Sequence, residues 1–282
     1  MSEIVIDAQL VKTLREKTNA GLMDCKRALA EVNGDLEAAI DLLRKKGAAS
    51  AAKKADREAK EGVIAQAIIH NGKVGVLAEV NCETDFVAKN DAFKALTDTV
   101  ASKLAENDSA DLEPDRVEAV QKLGENIRIR RHARLEVHGS GAVSSYIHTG
   151  GKVGVLLEVG ADSDATVVRE EFKQLVRDVT LQIAAANPVC VSRESVPAVL
   201  AEREREIYRG QVPPGKPANI VEQIVEGKMS KFYSNSCLLE QAFIKNPDQT
   251  ITQLIADKNK ELGEHISIRG FVRFMVGEEI AG

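Results

Sequence analysis

The chain has 282 residues, of which 44% are hydrophobic and 29% charged, a composition typical of a globular protein with about two domains. Its net charge of −5 provides no overall attraction for nucleic acid, and an aromatic content of 4% without tryptophan disfavours stacking of single-stranded bases. The first residues lack the pattern of a secretory signal, and no stretch is apolar enough to span a membrane. We therefore expect a cytoplasmic protein without a nucleic-acid or membrane partner.

The N-terminal part, residues 1–47, is predicted to form three short helices with apolar residues at helical spacing. Asn19 begins a break after the first helix, Asp35 is placed to cap the third, and Gly47 is placed to end it. Because three helices of this length bury only a small core, such a unit is typical of a docking module. Residues 48–61 are rich in alanine and charged residues and are predicted to form a charged helical linker.

The remainder of the chain contains an internal repeat. The string Lys73-Val-Gly-Val-Leu-Ala-Glu-Val80 recurs as Lys152-Val-Gly-Val-Leu-Leu-Glu-Val159, and Glu125-Asn-Ile-Arg-Ile-Arg130 recurs in part as Glu264-His-Ile-Ser-Ile-Arg269. Each copy is predicted to run as strand, tight glycine turn, strand, long helix and later strand. The repeat therefore predicts an α+β fold with a duplicated core of antiparallel strands and helices.

The two predicted core subdomains are residues 62–139 and residues 140–282. The repeated strings are farther apart in the second copy, which places an insertion after its long helix, residues 167–186. Much of residues 188–232 is predicted to form two antiparallel helices that make an arm, a common device for partner contact.

The stretch from Asn81 to Asn90 lies between a predicted strand and a helix predicted for residues 86–104. Thr84 and Asp85 are good helix N-caps, which places Phe86 at the first turn. Phe86 either folds back as a hydrophobic staple or projects outward for function. Ala165 stands at the matching position of the second copy, so the fold of a copy does not require the phenylalanine. The comparison favours an exposed functional side chain.

Metal, cofactor and catalytic sites are disfavoured. The sequence has no phosphate-binding loop, dinucleotide fingerprint, zinc-protease motif or nucleophile elbow. His132 and His138 share a strand face without companion ligands. The cysteines show no paired spacing and are predicted to be reduced thiols: Cys25, Cys82, Cys190 and Cys237. One basic run is interpreted as the solvated face of a strand, with RNA contact as the alternative: Arg128, Arg130, Arg131 and Arg134.

Five strings match one protein family: Thr18-Asn-Ala-Gly-Leu-Met-Asp-Cys-Lys-Arg-Ala-Leu29, Glu79-Val-Asn-Cys-Glu-Thr-Asp-Phe-Val-Ala-Lys89, Gly124-Glu-Asn-Ile-Arg-Ile-Arg-Arg131, Val225-Glu-Gly-Lys-Met-Ser-Lys-Phe232 and Val272-Arg-Phe-Met-Val-Gly277. The chain resembles the bacterial elongation factor Ts family, guanine-nucleotide exchange factors for the GTPase elongation factor Tu. The resemblance extends over residues 9–279. It implies an N-terminal three-helix domain of the ubiquitin-associated (UBA) type, a duplicated α+β core and a helical arm.

In that family the Thr-Asp-Phe-Val corner enters the GTPase near its nucleotide and helps to dislodge Mg²⁺. The resemblance assigns this role to Thr84, Asp85, Phe86 and Val87, with Asp85 and Phe86 as the main contacts. It assigns further partner contacts to Lys26, Leu123, His148, Ile244 and Lys245. It implies elongation factor Tu as the partner, no cofactor and no covalent chemistry.

The sequence departs from the family at the second hairpin, which has one extra residue at Thr149 to Gly151. It also ends at Gly282, whereas some members continue into a further helix. The alternative function is an RNA-binding or ubiquitin-like-binding module, which the N-terminal helices and the arginine-rich strand suggest.

Overall fold

The computed structural model describes residues 6–18 and 20–280; the predicted break at Asn19 and the predicted features of the first five and last two residues lie outside them. The described residues form α-helices and antiparallel sheets, a mixed α and β structure. The helices are α1 (Ala8–Thr18), α2 (Leu22–Glu31), α3 (Leu36–Lys54), α4 (Asp85–Ala88), α5 (Asp91–Glu106), α6 (Glu113–Leu123), α7 (Asp164–Val167), α8 (Glu170–Ala186), α9 (Ala198–Gly210), α10 (Ala218–Ser236) and α11 (Ile251–Leu262). The strands are β1 (Glu61–Ile69), β2 (Val74–Cys82), β3 (Arg128–Glu136), β4 (Gly141–Ile147), β5 (Val153–Gly160), β6 (Ala242–Phe243), β7 (Asn246–Thr250) and β8 (Ser267–Met275).

Helices α1 to α3 enclose a small apolar cluster, and Asp35 caps α3 by accepting a hydrogen bond from the Ala38 amide at 3.0 Å. The prediction that the third helix ends at Gly47 is wrong, because α3 continues to Lys54. Gly47 is buried against Val117 and Gln121 of α6, a helix that the sequence patterns did not reveal. Helix α3 continues because its alanine-rich second half packs on the core, so it links the N-terminal cluster to the first sheet.

The strands form two three-stranded antiparallel sheets, in the orders β1-β2-β3 and β4-β5-β8. The first sheet packs one face on α5 and α6, and the second packs one face on α8 and α11. Each sheet has a bulge on its last strand: Arg130 of β3 is the extra residue opposite Glu79 and Val80, and Arg269 of β8 is the extra residue opposite Glu158 and Val159. Strand β2 is buried along its whole length, as expected for a strand covered on both faces.

The opposite faces of the two sheets pack on each other around a third apolar cluster that includes Leu77 and Leu156. Gly75 and Gly154 lie where the sheets approach most closely. A Cβ at Gly75 would stand 2.5 Å from Val143 Cγ1, and one at Gly154 would stand 2.5 Å from Ile64 Cγ2. Glycine inside a strand marks such a close approach, at the cost of strand propensity. The repeated Lys-Val-Gly-Val strings therefore carry the glycines that let the sheets meet.

Helices α9 and α10 pack against each other where two arm helices are predicted, and α9 has no buried residue within its described range. The two helices are joined by ion pairs, among them Arg209 to Glu222 at 3.0 Å. Their connection contains Gly215 with a φ of +90°, a backbone conformation that favours glycine.

Gly75→Ala is expected to lower the free energy of unfolding by about 1–3 kcal/mol, because the added methyl group overpacks the contact between the sheets. Gly270→Ala is the matched control, since Gly270 also lies in a strand but a Cβ there meets no atom within 4 Å. Urea unfolding of both variants measures the difference. Equal stability of the two variants would contradict the close sheet contact.

Candidate partner interface at the strand-to-helix corner

The corner begins where β2 ends at Cys82. Thr84 caps the single turn of α4 by accepting a hydrogen bond from the Val87 amide at 3.3 Å. Asn90 then caps α5 by accepting one from the Ala92 amide at 2.8 Å. The predicted continuous helix over residues 86–104 is therefore wrong, because the Asn90 side chain ends one helix and starts the next.

Phe86 projects from α4 into solvent, with 81% of its surface exposed. Val87 is half-buried and Ala88 is buried, so these two residues anchor the turn on the core below. The staple alternative is wrong, since a stapled phenylalanine would be covered by the helix it caps. A large exposed aromatic side chain on an anchored turn is a suitable contact for another macromolecule.

Two carboxylates brace the corner reciprocally. Glu125, in the loop between α6 and β3, accepts hydrogen bonds from the amides of Glu83 and Thr84 at 2.9 and 3.0 Å and from the Thr84 hydroxyl at 2.5 Å. In return, Glu83 accepts one from the Asn126 amide at 2.6 Å. Because charged acceptors make the stronger hydrogen bonds, this pair of loops holds the backbone below Phe86 in one geometry.

The second sheet has a matching brace at its own corner. The His265 amide donates to Asp162 at 2.8 Å, and the Ser163 hydroxyl donates to Glu264 at 3.4 Å. Ala165 is exposed there at the position that corresponds to Phe86. The second corner thus has part of the supporting contacts of the first, and it presents Ala165 in place of Phe86.

Asp85 presents a charge beside Phe86. Its carboxylate accepts a hydrogen bond from the Lys89 ammonium at 2.6 Å. That bond lowers the pKa of Asp85 and raises the pKa of Lys89, so both groups are charged at neutral pH. The corner therefore offers an apolar ring and an ion pair side by side.

His148 and Ile244 line one apolar groove of about 360 Å³. The family resemblance predicted both as partner contacts without indicating that they lie together. Tyr146 also lines this groove, and its hydroxyl lies 3.0 Å from His148 Nδ1. Ile244 is 44% exposed at the rim. The groove is open and apolar, with one polar pair, which suits an apolar side chain of a partner.

Two residues of α8 hold the segment that presents Ile244 and Lys245. Buried Gln182 accepts a hydrogen bond from the Ile244 amide at 2.8 Å, and Asp178 pairs with the Lys245 ammonium at 2.6 Å. Gln182 also donates to the Gln241 side chain at 3.1 Å. The sequence analysis missed both supports, although polar residues on the apolar face of a helix are the signal that could have found them.

The groove and the corner lie near the start of the same strand. Ile64 of β1 donates a hydrogen bond to Gly151 at 2.7 Å, and Lys152 donates one to Gly62 at 3.0 Å. The start of β1 pairs with Cys82, the last residue before the corner. The hairpin that carries His148 is therefore tied to the strand pair that carries Phe86.

The other two predicted contacts lie apart from this hairpin. Lys26 is exposed on α2, on the surface that also exposes Leu22 and Met23. Leu123 is half-buried on the core at the end of α6, directly before the loop that contains Glu125. Leu123 thus adjoins the loop that braces the corner, whereas Lys26 belongs to the N-terminal helices.

The interpretation of the arginine run as a solvated strand face is wrong. Arg130 and Arg131 bind the buried carboxylate of Glu79, at 3.0 and 2.7 Å. Arg128 donates to the Ala55 carbonyl at 2.6 Å, and Arg134 donates to the Ala105 carbonyl at 3.1 Å. Because all four guanidinium groups are hydrogen-bonded within the protein, although Arg128 stays exposed, the run gives no support for RNA contact.

The Glu79 carboxylate also accepts a hydrogen bond from the Gly277 amide at 2.9 Å. This bond fixes the segment after β8 to the first sheet. Burial by itself raises the pKa of Glu79. Hydrogen bonds from Gly277, Asn81, Arg130 and Arg131 outweigh it and lower the pKa below its ordinary value. The carboxylate is therefore ionised and fully paired.

Among residues 6–18 and 20–280, no group of three or more histidine, cysteine, aspartate or glutamate side chains is arranged to hold a metal ion. Within the same residues, no helix is both long and apolar enough to cross a membrane.

An exposed aromatic residue on a braced corner of a mixed α and β core is the kind of feature that a protein–protein interface uses. The family described as Elongation factor TS matches residues 83–278. Curated proteins named Elongation factor Ts are similar over nearly the full length. The one from Trichlorobacter lovleyi is 44% identical, with 98% of this chain and 94% of the relative covered. That from Clostridium botulinum strain Alaska E43 is 46% identical with the same coverage, and that from Nitratidesulfovibrio vulgaris strain DP4 is 41% identical, with 99% and 98% covered. The chain belongs to the elongation factor Ts family, whose members are translation elongation factors.

Glu79→Gln is expected to lower the free energy of unfolding by about 1.5–3 kcal/mol at pH 7, because it removes the buried charged acceptor of the half-buried Arg130 and Arg131 guanidinium groups. A lowered pKa in the folded state means that this contribution is present above the ordinary pKa of 4.5 and is lost as the pH falls through the folded-state value. The difference from the wild type should therefore shrink in acid. Urea unfolding from pH 7 downward measures it.

Glu136→Gln is the control. Glu136 lies on β3, the strand that also carries Arg130 and Arg131, and its exposed ion pair with Arg134 should contribute little stability. A Glu79→Gln deficit that stays constant down to pH 3 would contradict the ionised, paired carboxylate.

Proposed function

We propose that the protein is the guanine-nucleotide exchange factor of elongation factor Tu, acting without covalent chemistry, metal or nucleotide of its own. The observation that carries the proposal is the exposure of Phe86, at 81%, on a corner that two carboxylates brace. Family membership supports it, because the relatives carry the name of this factor. We propose the cytoplasm as its location.

Exchange follows from thermodynamic linkage. A factor that binds the nucleotide-free GTPase more tightly than the nucleotide-bound one must weaken nucleotide affinity by the same ratio. Phe86 is the wedge: it enters the GTPase beside the nucleotide site and displaces the elements that position Mg²⁺. Thr84 and Val87 hold the wedge, and the Asp85 carboxylate lies next to it. Loss of Mg²⁺ removes the largest positive charge from the phosphates, so GDP leaves and GTP replaces it.

A wedge works only if it is stiffer than the structure that it moves. The Glu125 contacts to the amides of Glu83 and Thr84 fix the corner backbone before the partner arrives. Little ordering cost then remains to be met on binding, and more of the contact energy is available to distort the GTPase.

The remaining contacts dock the GTPase at a distance from its nucleotide. His148 and Ile244 receive an apolar partner side chain in their shared groove, and Lys245 lies at its rim. Lys26 places a second contact on the N-terminal helices, which we propose to be a UBA-like docking domain. Leu123 acts through the brace that it adjoins.

We further propose that the core arose by duplication of one α+β subdomain. The matching braces at Asp162 and Glu83, and the matching glycines at Gly75 and Gly154, support this origin. Only the first copy carries the wedge, so the second corner serves as a structural counterpart.

Phe86→Ala is expected to change the free energy of unfolding by less than about 0.5 kcal/mol, because the ring is exposed; a buried phenylalanine would cost about 3–5 kcal/mol. Stimulated release of fluorescent GDP from elongation factor Tu should fall about 30-fold, which corresponds to roughly 2 kcal/mol for an interface anchor.

Ala165→Phe, added to Phe86→Ala, is the matched control and should not restore exchange. A Phe86→Ala protein that melts far below the wild type yet stimulates release normally per folded molecule would refute the wedge.

Glu125→Gln tests the brace separately from the wedge. Removal of the charge should weaken the hydrogen bonds to the two corner amides by about 1–2 kcal/mol in total, and GDP release should slow by a factor of about 5–30. Glu264→Gln is the control at the second corner: the Glu264 carboxylate accepts a longer hydrogen bond from the Ser163 hydroxyl, at 3.4 Å, so the variant should cost less stability and should not slow release. If both variants slowed release equally, the first corner would have no special role.

A further inference from the structure

Two cysteines that are far apart in the sequence come together at the root of the arm. Cys190 precedes α9 and Cys237 follows α10, and their sulfur atoms lie 3.7 Å apart. The sequence analysis treated all four cysteines as unpaired. The pair is not apparent from the sequence because the whole arm separates the two residues in the chain.

The backbone at the arm root already has the geometry of a disulfide site. Cys190 and Cys237 form a parallel β-bridge, and the amides of Leu238 and Leu239 donate to the carbonyls of Cys190 and Val191 at 2.9 and 3.0 Å. Bridged strands place paired Cα atoms about 4.8 Å apart, within the range of about 4.4–6.8 Å for disulfides. The sulfurs then have to move from 3.7 Å to the bonding distance of about 2.05 Å, which rotation of the two side chains favours.

We propose that Cys190 and Cys237 are a reversible dithiol site, which a peroxide oxidises to a disulfide that clamps the root of the arm.

The chemistry needs one equivalent of peroxide. Cys190 retains 9% exposure whereas Cys237 is fully buried, so the Cys190 sulfur meets the oxidant first. Its thiolate attacks the peroxide, the O–O bond breaks, and Cys190 becomes a sulfenic acid as hydroxide leaves. The Cys237 thiolate then attacks the sulfenic sulfur, the S–S bond forms and the S–O bond breaks. Overall the two thiols lose two electrons, and the peroxide is reduced to two molecules of water.

Both cysteines are buried, which slows the reaction of their thiols with an oxidant. Burial raises the pKa of the Cys237 thiol to about 12, so little thiolate is present until the root opens. Once Cys190 is a sulfenic acid, however, the second thiol is already beside it. The other two cysteines, Cys25 and Cys82, are buried in separate clusters and serve as internal controls.

The disulfide would act on the segment that we assign to partner contact. Gln241 lies shortly after Cys237 in the chain, and its side chain accepts a hydrogen bond from Gln182. The Gln182 side chain in turn accepts one from the Ile244 amide. The bond closes both ends of the arm into one covalent loop, which restricts opening of the root.

The test uses the full-length protein exposed to hydrogen peroxide, then alkylated under denaturing conditions and digested without reduction. We expect alkylatable thiols to fall from the four present to about two per chain, and mass spectrometry to find the Cys190 and Cys237 peptides linked. Dithiothreitol should restore all four. Hydrogen exchange of the Leu238 and Leu239 amides should slow at least tenfold in the oxidised protein.

Cys190→Ser should abolish the linked peptide and leave Cys25 and Cys82 alkylatable. Four free thiols after peroxide, or a sulfinic acid at Cys190 beside a free Cys237 in the unaltered chain, would overturn the dithiol site. A linked peptide with unchanged hydrogen exchange would overturn the clamp.

Discussion

The rest of the structure depends on the close approach of two sheets at Gly75 and Gly154. A methyl group at either glycine would lie 2.5 Å from a side chain of the opposite sheet. Because the sheets meet there, the start of β1 reaches the hairpin between β4 and β5, and the two are joined at Ile64 and Gly151. That junction brings the groove at His148 to the strand pair that ends at the Phe86 corner.

The corner combines rigidity and exposure, two properties that usually oppose each other in loops. Glu83 and Glu125 exchange hydrogen bonds with backbone amides across the corner, so the backbone is fixed although Phe86 is open to solvent. The second sheet has part of this brace without an aromatic residue, so the bracing of a corner does not depend on the residue that the corner exposes. We propose that the partner covers the exposed Phe86 ring.

Local patterns predicted the features that depend on local physics. Alternating apolar residues and glycine turns predicted antiparallel strands and helices, which the structure contains, and Asp35 was correctly identified as a helix cap. The exposure of Phe86 could also be predicted, because the chain contains its own comparison at Ala165. The family strings then gave the partner, which no pattern of spacing or composition could supply.

What the sequence did not reveal depends on contacts between distant segments. Helix α6, which covers Gly47, has only a weak apolar pattern, so the third N-terminal helix seemed to end early. In the sequence, Glu125 and Gln182 resemble ordinary surface residues, because the backbone amides that they bind belong to distant segments of the chain. The arginine run seemed solvated because its buried acceptor, Glu79, lies on another strand. Cys190 and Cys237 meet only because the arm returns to its starting point.

We have proposed that this protein releases GDP from elongation factor Tu by displacing Mg²⁺. The most direct measurement is the rate of fluorescent GDP release from the GTPase, with and without this protein, at millimolar Mg²⁺ and again with the ion chelated. The account predicts strong stimulation with Mg²⁺ present and a clearly smaller stimulation factor without it, because chelation already performs part of the work. No stimulation, or the same factor under both conditions, would contradict it.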